Sequence, residues 1–123
     1  MQQGQHAEVQ RQANLVLEAL AAAEVQHRQA VAAFPRSYRS LANLGTVYLL
    51  RGELFASLAG TAAAAGDATA ASGLRQTAAD HVAAAEDWYK RALAIHPQLP
   101  GGQRDLEQAR SFLRELAQED DTP

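Results

Sequence analysis

Residues 41–97 read LANLGTVYLLRGELFASLAGTAAAAGDATAASGLRQTAADHVAAAEDWYKRALAIHP, and this stretch decides the fold. Its apolar residues recur at steps of three and four on both sides of the Gly66-Asp67 pair, which is the spacing of one face of an α-helix. The face before the pair contains Leu41, Leu44, Val47, Tyr48, Phe55, Leu58 and Ala62. The face after it contains Leu74, Ala78, Val82, Ala85, Trp88, Tyr89, Ala92 and Ile95. Because so short a turn joins them, the two predicted helices must pack antiparallel as a hairpin.

Residues that begin and end helices set the limits of this hairpin. Ser37 is a suitable N-cap for the first helix, and Gly66 suits the left-handed residue that follows a helix. Asp67 can cap the second helix, which ends before Pro97. The alanine-rich tip, residues 60–73, has little packing capacity, so the sequence leaves open whether it is helical or an irregular loop.

The flanking segments also have a helical pattern. Residues 5–34 form an amphipathic segment, either one helix or two that meet near residues 21–24, and residues 103–118 form another. No strand-like alternation occurs. We therefore predict an all-α chain of about four helices: a single domain over residues 1–118, with a central hairpin at 37–96 and a disordered acidic tail at 119–123.

Composition excludes several classes of function. The formal net charge is −3, with basic and acidic residues mixed along the chain, so no basic stripe is available for a nucleic-acid backbone. The chain has no cysteine, which removes disulfides, thiolate nucleophiles and cysteine-based metal sites. The polar amino terminus does not resemble a secretory signal, and no window approaches about 18 uncharged apolar residues. We predict a cytoplasmic protein that binds neither nucleic acid nor membrane.

The sequence contains no arrangement typical of catalysis. The histidines are scattered, without the spacing of a metal site; they are His6, His27, His81 and His96. The adjacent acids Glu86 and Asp87 diverge by about 100° on a helix, so they do not converge on one substrate. Gly101-Gly102 lacks the lysine of a phosphate-binding loop. We predict no enzymatic activity, no cofactor and no metal.

Two local patterns resemble the tetratricopeptide repeat, a helix–turn–helix unit of about 34 residues. Leu44-Gly45-Thr46-Val47-Tyr48 supplies the Leu-Gly-x-x-Tyr pattern of the first helix of such a repeat. The spacing of the second helix is matched by Ala85, Tyr89, Ala92 and Pro97, and partly repeated by Ala30 and Pro35. Small residues at these positions allow two helices to approach closely, and an aromatic ring fills the remaining gap. The resemblance covers most of the chain and implies antiparallel helical hairpins, arranged as a right-handed solenoid fragment or an elongated bundle.

The hairpin is longer than that of the family. Leu44 and Pro97 are 53 positions apart, whereas an ordinary repeat gives about 25, which leaves about 28 additional residues. Divided between two helices, the excess is about two heptads each and keeps the same faces in contact. We therefore predict an elongated hairpin with helices of roughly 40 Å. The alternative is a normal turn at Gly52, followed by an irregular insertion at residues 60–73.

The resemblance also implies a binding surface. In tetratricopeptide proteins the first helices of successive repeats line the ligand groove. The corresponding candidate partner-binding residues here are Arg39, Asn43, Thr46, Leu50 and Arg104. Arg39 and Asn43 resemble part of the arrangement by which some family members hold a peptide's terminal carboxylate, but Glu8, Gln12 and Asp105 do not supply the rest.

Two functional hypotheses follow. The first is a protein–protein interaction module, an adaptor or scaffold that binds a partner peptide or helix through these faces. The second is a self-associating structural protein, in which two copies form a homodimeric bundle without a separate peptide ligand, because so short a stack leaves an apolar face to be covered.

Overall fold

The structure is a computed structural model that describes the backbone of residues 2–120 and the side chains of residue 4 and of residues 7–118. It contains four α-helices: α1 (Gln2–Ala33), α2 (Tyr38–Ala64), α3 (Ala68–Ile95) and α4 (Gly102–Asp120). No strand occurs within residues 2–120. The prediction of an all-α fold with about four helices is confirmed.

Helices α2 and α3 form a long antiparallel hairpin of 27 and 28 residues, each about 40 Å in length. Gly52 lies inside α2, where it is buried, and not in a turn. The additional residues therefore lengthen both helices. The alanine-rich tip is helical except at residues 65–67, which form the turn.

Gly66 and Asp67 end one helix and begin the next as their residue types predict. Gly66 has a φ of +84°, its N–H donates to the Ala63 carbonyl, and the Asp67 N–H donates to the Ala62 carbonyl, both at 3.0 Å. This pattern is a Schellman motif, which satisfies carbonyl groups at the end of α2. The Asp67 carboxylate accepts a hydrogen bond from the Ala70 N–H at 3.0 Å and so caps α3.

The structure decides one open question about the helices and differs from the sequence-based description in two details of their ends. Helix α1 is continuous through residues 21–24. Ser37 is at the N-cap of α2, but its hydroxyl donates to the Ser40 hydroxyl at 3.1 Å and does not accept a capping hydrogen bond from the backbone. Helix α4 continues past residue 118 to Asp120, and residues 121–123 of the predicted tail lie outside the described residues.

The helices pack in chain order, α1 on α2, α2 on α3, and α3 on α4. The core lies mainly along α3, with α2 on one side and α4 on the other. Its buried residues include Leu49, Ala78, Val82, Ala85, Tyr89, Leu93, Leu106, Ala109 and Leu116. Helix α1 lies outside this core, and its backbone approaches only that of α2. Within residues 2–120, no helix is long and apolar enough to span a bilayer.

Two glycines allow α2 and α3 to approach closely. A Cβ atom built on Gly45 would lie 2.6 Å from two ring carbons of Tyr89, and one on Gly52 would lie 2.4 Å from a methyl carbon of Val82. Both distances are far below ordinary van der Waals contact. The helix pair therefore depends on the absence of a side chain at these two positions.

Candidate functional site

A groove of about 270 Å³ lies where the first half of α2 meets the α3–α4 connection. Its α2 wall contains Arg39, Asn43 and Thr46, three of the five residues predicted to bind a partner. Steps of four and three residues place them on one face of α2. The rest of the lining consists of Ala42, Leu99, Pro100 and Asp105.

The other two predicted residues lie beside the groove and not in its wall. Leu50 is exposed and follows Thr46 by four residues, so it extends the same face of α2 toward the hairpin tip. Arg104 is exposed on the first turn of α4, where its Nε atom lies 3.8 Å from Oδ1 of Asp105. The structure thus brings Arg39, Asn43 and Thr46 together and leaves Leu50 and Arg104 at the margin.

The buried side chain of Tyr89 holds the Thr46 side chain in place. The two hydroxyl oxygens are 2.9 Å apart and share a hydrogen bond. Burial raises the pKa of the Tyr89 hydroxyl, and the bond to Thr46 offsets part of that increase. The phenol is therefore neutral at physiological pH, and this side of the groove presents uncharged polar groups.

The two charged side chains of the groove wall, Asp105 and Arg39, differ in whether an opposite charge lies nearby. Asp105 has Arg104 nearby. Arg39 has its guanidinium carbon 5.9 Å from the centre of the Tyr38 ring, which in turn packs edge-on against His96 with ring centres 4.6 Å apart. Among the described side chains, no carboxylate lies within ion-pair distance of Arg39. Its charge is therefore available to a ligand.

A second polar cluster, which the sequence analysis did not identify, joins α1 to the hairpin. The Tyr48 hydroxyl donates to Oε2 of Glu24 at 2.6 Å, and the Arg28 Nε atom donates to the same oxygen at 2.8 Å. Arg51 reaches the other carboxylate oxygen at 2.8 Å. We call Glu24, Arg28, Tyr48 and Arg51 the Glu24 cluster.

The Glu24 cluster is strongly stabilised in its charged form. Burial raises the pKa of the Glu24 carboxyl, but the hydrogen bonds from Tyr48, Arg28 and Arg51 together outweigh burial and lower it from 4.5 to about 2. The only local signal is the Glu24–Arg28 spacing of four residues, which is typical of a helix-surface ion pair. Arg51 and Tyr48 lie more than 20 residues away, so the sequence pattern alone does not identify them.

Next to the Glu24 cluster, aromatic rings stack along the hairpin. His81 lies between Phe55 and Tyr48, at ring-centre distances of 5.4 and 5.8 Å, and Tyr48 stacks on Trp88 at 6.4 Å. Burial lowers the pKa of His81, so its imidazole is neutral at physiological pH. His81 is therefore a packing residue within this aromatic stack.

One part of the Trp88 side chain faces α1, and another part lies at the surface. The guanidinium carbons of Arg28 and Arg91 lie 5.3 and 4.4 Å from the centre of its ring system. Both distances are within the range of cation–π contacts. Trp88 therefore anchors Arg28, and through it α1, to the hairpin.

The adjacent acids on α3 separate as their helical spacing predicts. Glu86 accepts from Lys90 at 3.0 Å and lies 3.4 Å from Arg110, while Asp87 is exposed. The described residues contain no group of three or more His, Asp or Glu side chains that could hold a metal ion. The side chain of His6 lies outside the described part.

An apolar groove of about 350 Å³ lies at the opposite end, between the start of α1 and the hairpin tip. Val9, Leu58 and Leu74 supply its apolar lining. The chain thus offers surfaces for contact with another molecule: a polar groove that contains Arg39 and an apolar groove at the tip. Comparison with known proteins found no matching family model, curated sequence or solved structure, so the geometry of the chain itself carries the functional assignment.

Proposed function

We propose that the chain is a protein–protein interaction module, an adaptor or scaffold that binds a partner peptide or helix through the α2 groove. The observation that carries the proposal is the convergence of Arg39, Asn43 and Thr46 on one groove with an apolar opposite wall at Leu99 and Pro100. Such a groove can hold a chain by side-chain and backbone hydrogen bonds while an apolar side chain is buried.

The helix packing supports a tetratricopeptide-like architecture within this proposal. Each helix packs on the next in chain order, as in a helical repeat array. Gly45 of α2 meets Tyr89 of α3, which is the contact between a small residue and an aromatic ring that the two sequence patterns imply. The proposal includes a cytoplasmic location and assigns the chain no catalytic step and no cofactor.

Partner capture tests this proposal directly. Arg39→Glu reverses the unpaired charge in the groove wall, and we expect it to reduce capture of partners from extracts of the native source while the melting temperature stays unchanged. The readout is affinity capture with quantitative mass spectrometry. Arg114→Glu is the matched control, because Arg114 is an exposed arginine on α4 outside the groove. Equal capture by Arg39→Glu and the unmodified chain would remove Arg39 from the binding site.

A second candidate function, self-association into a homodimeric bundle, is supported by the outer surface of α1. Leu15 and Val25 lie on the side of α1 away from its buried residues Ala13 and Leu20, and they are 60% and 56% exposed. The backbone of α1 approaches only that of α2, so much of the circumference of α1 faces solvent. A second copy could cover these residues.

Sedimentation equilibrium separates the two functions. If self-association is the role of the chain, the mass at high micromolar concentration is that of a dimer, and Leu15→Lys with Val25→Lys returns it to that of a monomer. A monomer of the unmodified chain at the same concentration excludes the homodimeric bundle and leaves the interaction module.

A further inference from the structure

Acidic residues are absent from two long segments of the chain. Residues 25–52 and residues 88–104 contain no Asp or Glu. Together they hold seven of the eleven Lys and Arg residues, which leaves four basic and fourteen acidic residues in the rest of the chain. The net charge of −3 therefore conceals a strong separation of charge between segments, and the expected mixing of basic and acidic residues along the chain is wrong for these two segments.

The fold brings the middle of both segments to one end of the molecule. The α1–α2 turn and the α3–α4 connection lie side by side there, because α2 begins where α3 ends, and the rings of Tyr38 and His96 are in contact. We call residues 34–39 and 96–104 the basic end. It includes the predicted binding residues Arg39 and Arg104, and it adds Arg36.

The side chains of the basic end are accessible. Arg36 and Arg39 are exposed, and among the described side chains neither has a carboxylate within ion-pair distance. Phe34 is 71% exposed beside them. The first turn of α2 contains no acidic residue, so its partial positive charge adds to that of the two arginines. Asp105, in the groove wall, is an acid at this end of the molecule.

We propose that the basic end binds a short acidic peptide segment of a partner protein. Side-chain carboxylates of the segment pair with Arg36, Arg39 and Arg104, and one of its apolar side chains packs on Phe34 or against Leu99 in the groove. This inference rests on the proposed function and adds the chemical class of the partner. Arginine suits the role because its planar guanidinium donates to carboxylates through two parallel hydrogen bonds.

The distribution of charge favours a short peptide over a long polyanion. A nucleic acid or an anionic membrane surface would extend beyond the basic end onto the rest of the chain, which contains fourteen acidic and eight basic residues. The resulting repulsion opposes binding within a Debye length of about 8–10 Å. A segment of a few acidic residues fits within the basic end and avoids this repulsion.

The test is a titration of the isotope-labelled full chain with three peptides of about ten residues that are capped by acetyl and amide groups. One contains Glu and Asp around single Leu and Phe residues, the second replaces the acids by Gln and Asn, and the third replaces them by Lys. Amide capping removes the terminal carboxylate, so only side-chain carboxylates contribute. Chemical shifts locate the binding site, and fluorescence anisotropy gives the affinity at about 20 mM and about 300 mM salt.

We expect the acidic peptide alone to bind, with shifts concentrated at the basic end and weaker affinity at the higher salt. The Arg36→Gln/Arg39→Gln double variant should weaken binding about fivefold, and Asp105→Asn should strengthen it about twofold, as expected for partly exposed charge pairs. The control is Arg11→Gln/Arg114→Gln, which removes the same charge from exposed sites away from the basic end and should leave the affinity unchanged.

Four results would overturn the inference: no shift with millimolar acidic peptide, equal binding of the Gln/Asn peptide, equal weakening by the control variant, or tighter binding of a single-stranded oligonucleotide of the same charge. Sedimentation at both salt concentrations can give a fifth such result. A dimer that forms only at low salt would show that a second copy of the chain occupies the basic end. None of the peptide results decides the proposed function by itself. The proposed function is tested separately, by the capture of partners from the native source and by the sedimentation of the unmodified chain.

Discussion

Gly45→Leu is expected to lower the free energy of unfolding by about 1–3 kcal/mol, the usual cost of overpacking a well-packed core. The first side-chain carbon would lie 2.6 Å from the Tyr89 ring. That ring cannot move aside easily, because Tyr89 is only 2% exposed and its hydroxyl is bonded to Thr46. Urea or thermal denaturation followed by circular dichroism measures the loss.

Gly60→Leu is the matched control for this substitution. Gly60 lies in the same helix, but a Cβ atom there has no atom within 4 Å. Replacing glycine in an exposed helix interior should stabilise the chain by roughly 0.5–1 kcal/mol, because leucine loses less backbone entropy. We therefore expect Gly45→Leu to lower the free energy of unfolding and Gly60→Leu to raise it. An unchanged melting temperature for Gly45→Leu would contradict the close approach of α2 and α3, and with it the main support for a tetratricopeptide-like architecture.

Glu24→Gln should have the other large effect, a loss of about 2–4 kcal/mol at neutral pH. The substitution leaves Arg51 without its carboxylate in a site where only 11% of the arginine side chain is exposed. Because α1 lies outside the main core and its backbone approaches only that of α2, the loss should appear as faster amide hydrogen exchange along α1, while the α2–α3 hairpin stays protected. Urea denaturation measures the total loss of stability, and hydrogen exchange followed by mass spectrometry shows which helix loses protection.

The stabilisation that the Glu24 carboxylate contributes should decrease as the pH falls. The pKa of Glu24 is depressed from 4.5 to about 2 in the folded chain. Its stabilisation is therefore fully present above pH 4.5 and is lost as the pH falls from 4.5 towards 2; the shift corresponds to roughly 3 kcal/mol. The unmodified chain and Glu24→Gln should differ most at neutral pH and converge near pH 2. Glu18→Gln, an exposed change on the same helix, should stay within about 0.5 kcal/mol at every pH. A difference that persists unchanged at pH 2 would show that the Glu24 charge is not the cause.

Sequence reasoning succeeded where the relevant interactions are local. Residue spacing predicts the four helices, and Gly66 and Asp67 predict the turn because their effects depend on backbone conformation within a few residues. The length of the hairpin was open between two interpretations, since Gly52 suits a turn as well as a close helix contact. The structure resolves this in favour of contact, because Val82 occupies the space where a side chain would be.

The candidate site was only partly predictable. The spacing of Arg39, Asn43, Thr46 and Leu50 places all four on one face of α2. Which of them line a groove depends on where the α3–α4 connection supplies the opposite wall, more than 50 residues further along the chain. Arg104 was predicted from its position in the pattern, but the packing of α4 leaves it beside the groove.

The sequence by itself determined the helices, their ends and the antiparallel hairpin, because these follow from apolar periodicity and from turn chemistry. Only the tertiary structure decided that Glu24 meets Arg51 and Tyr48, and that two acid-free segments share one end of the molecule. The physical reason is that helix formation depends on residues up to four apart, whereas these contacts depend on the rotation and lateral packing of whole helices. Acid-free segments that are far apart in the linear sequence are thereby brought together in space.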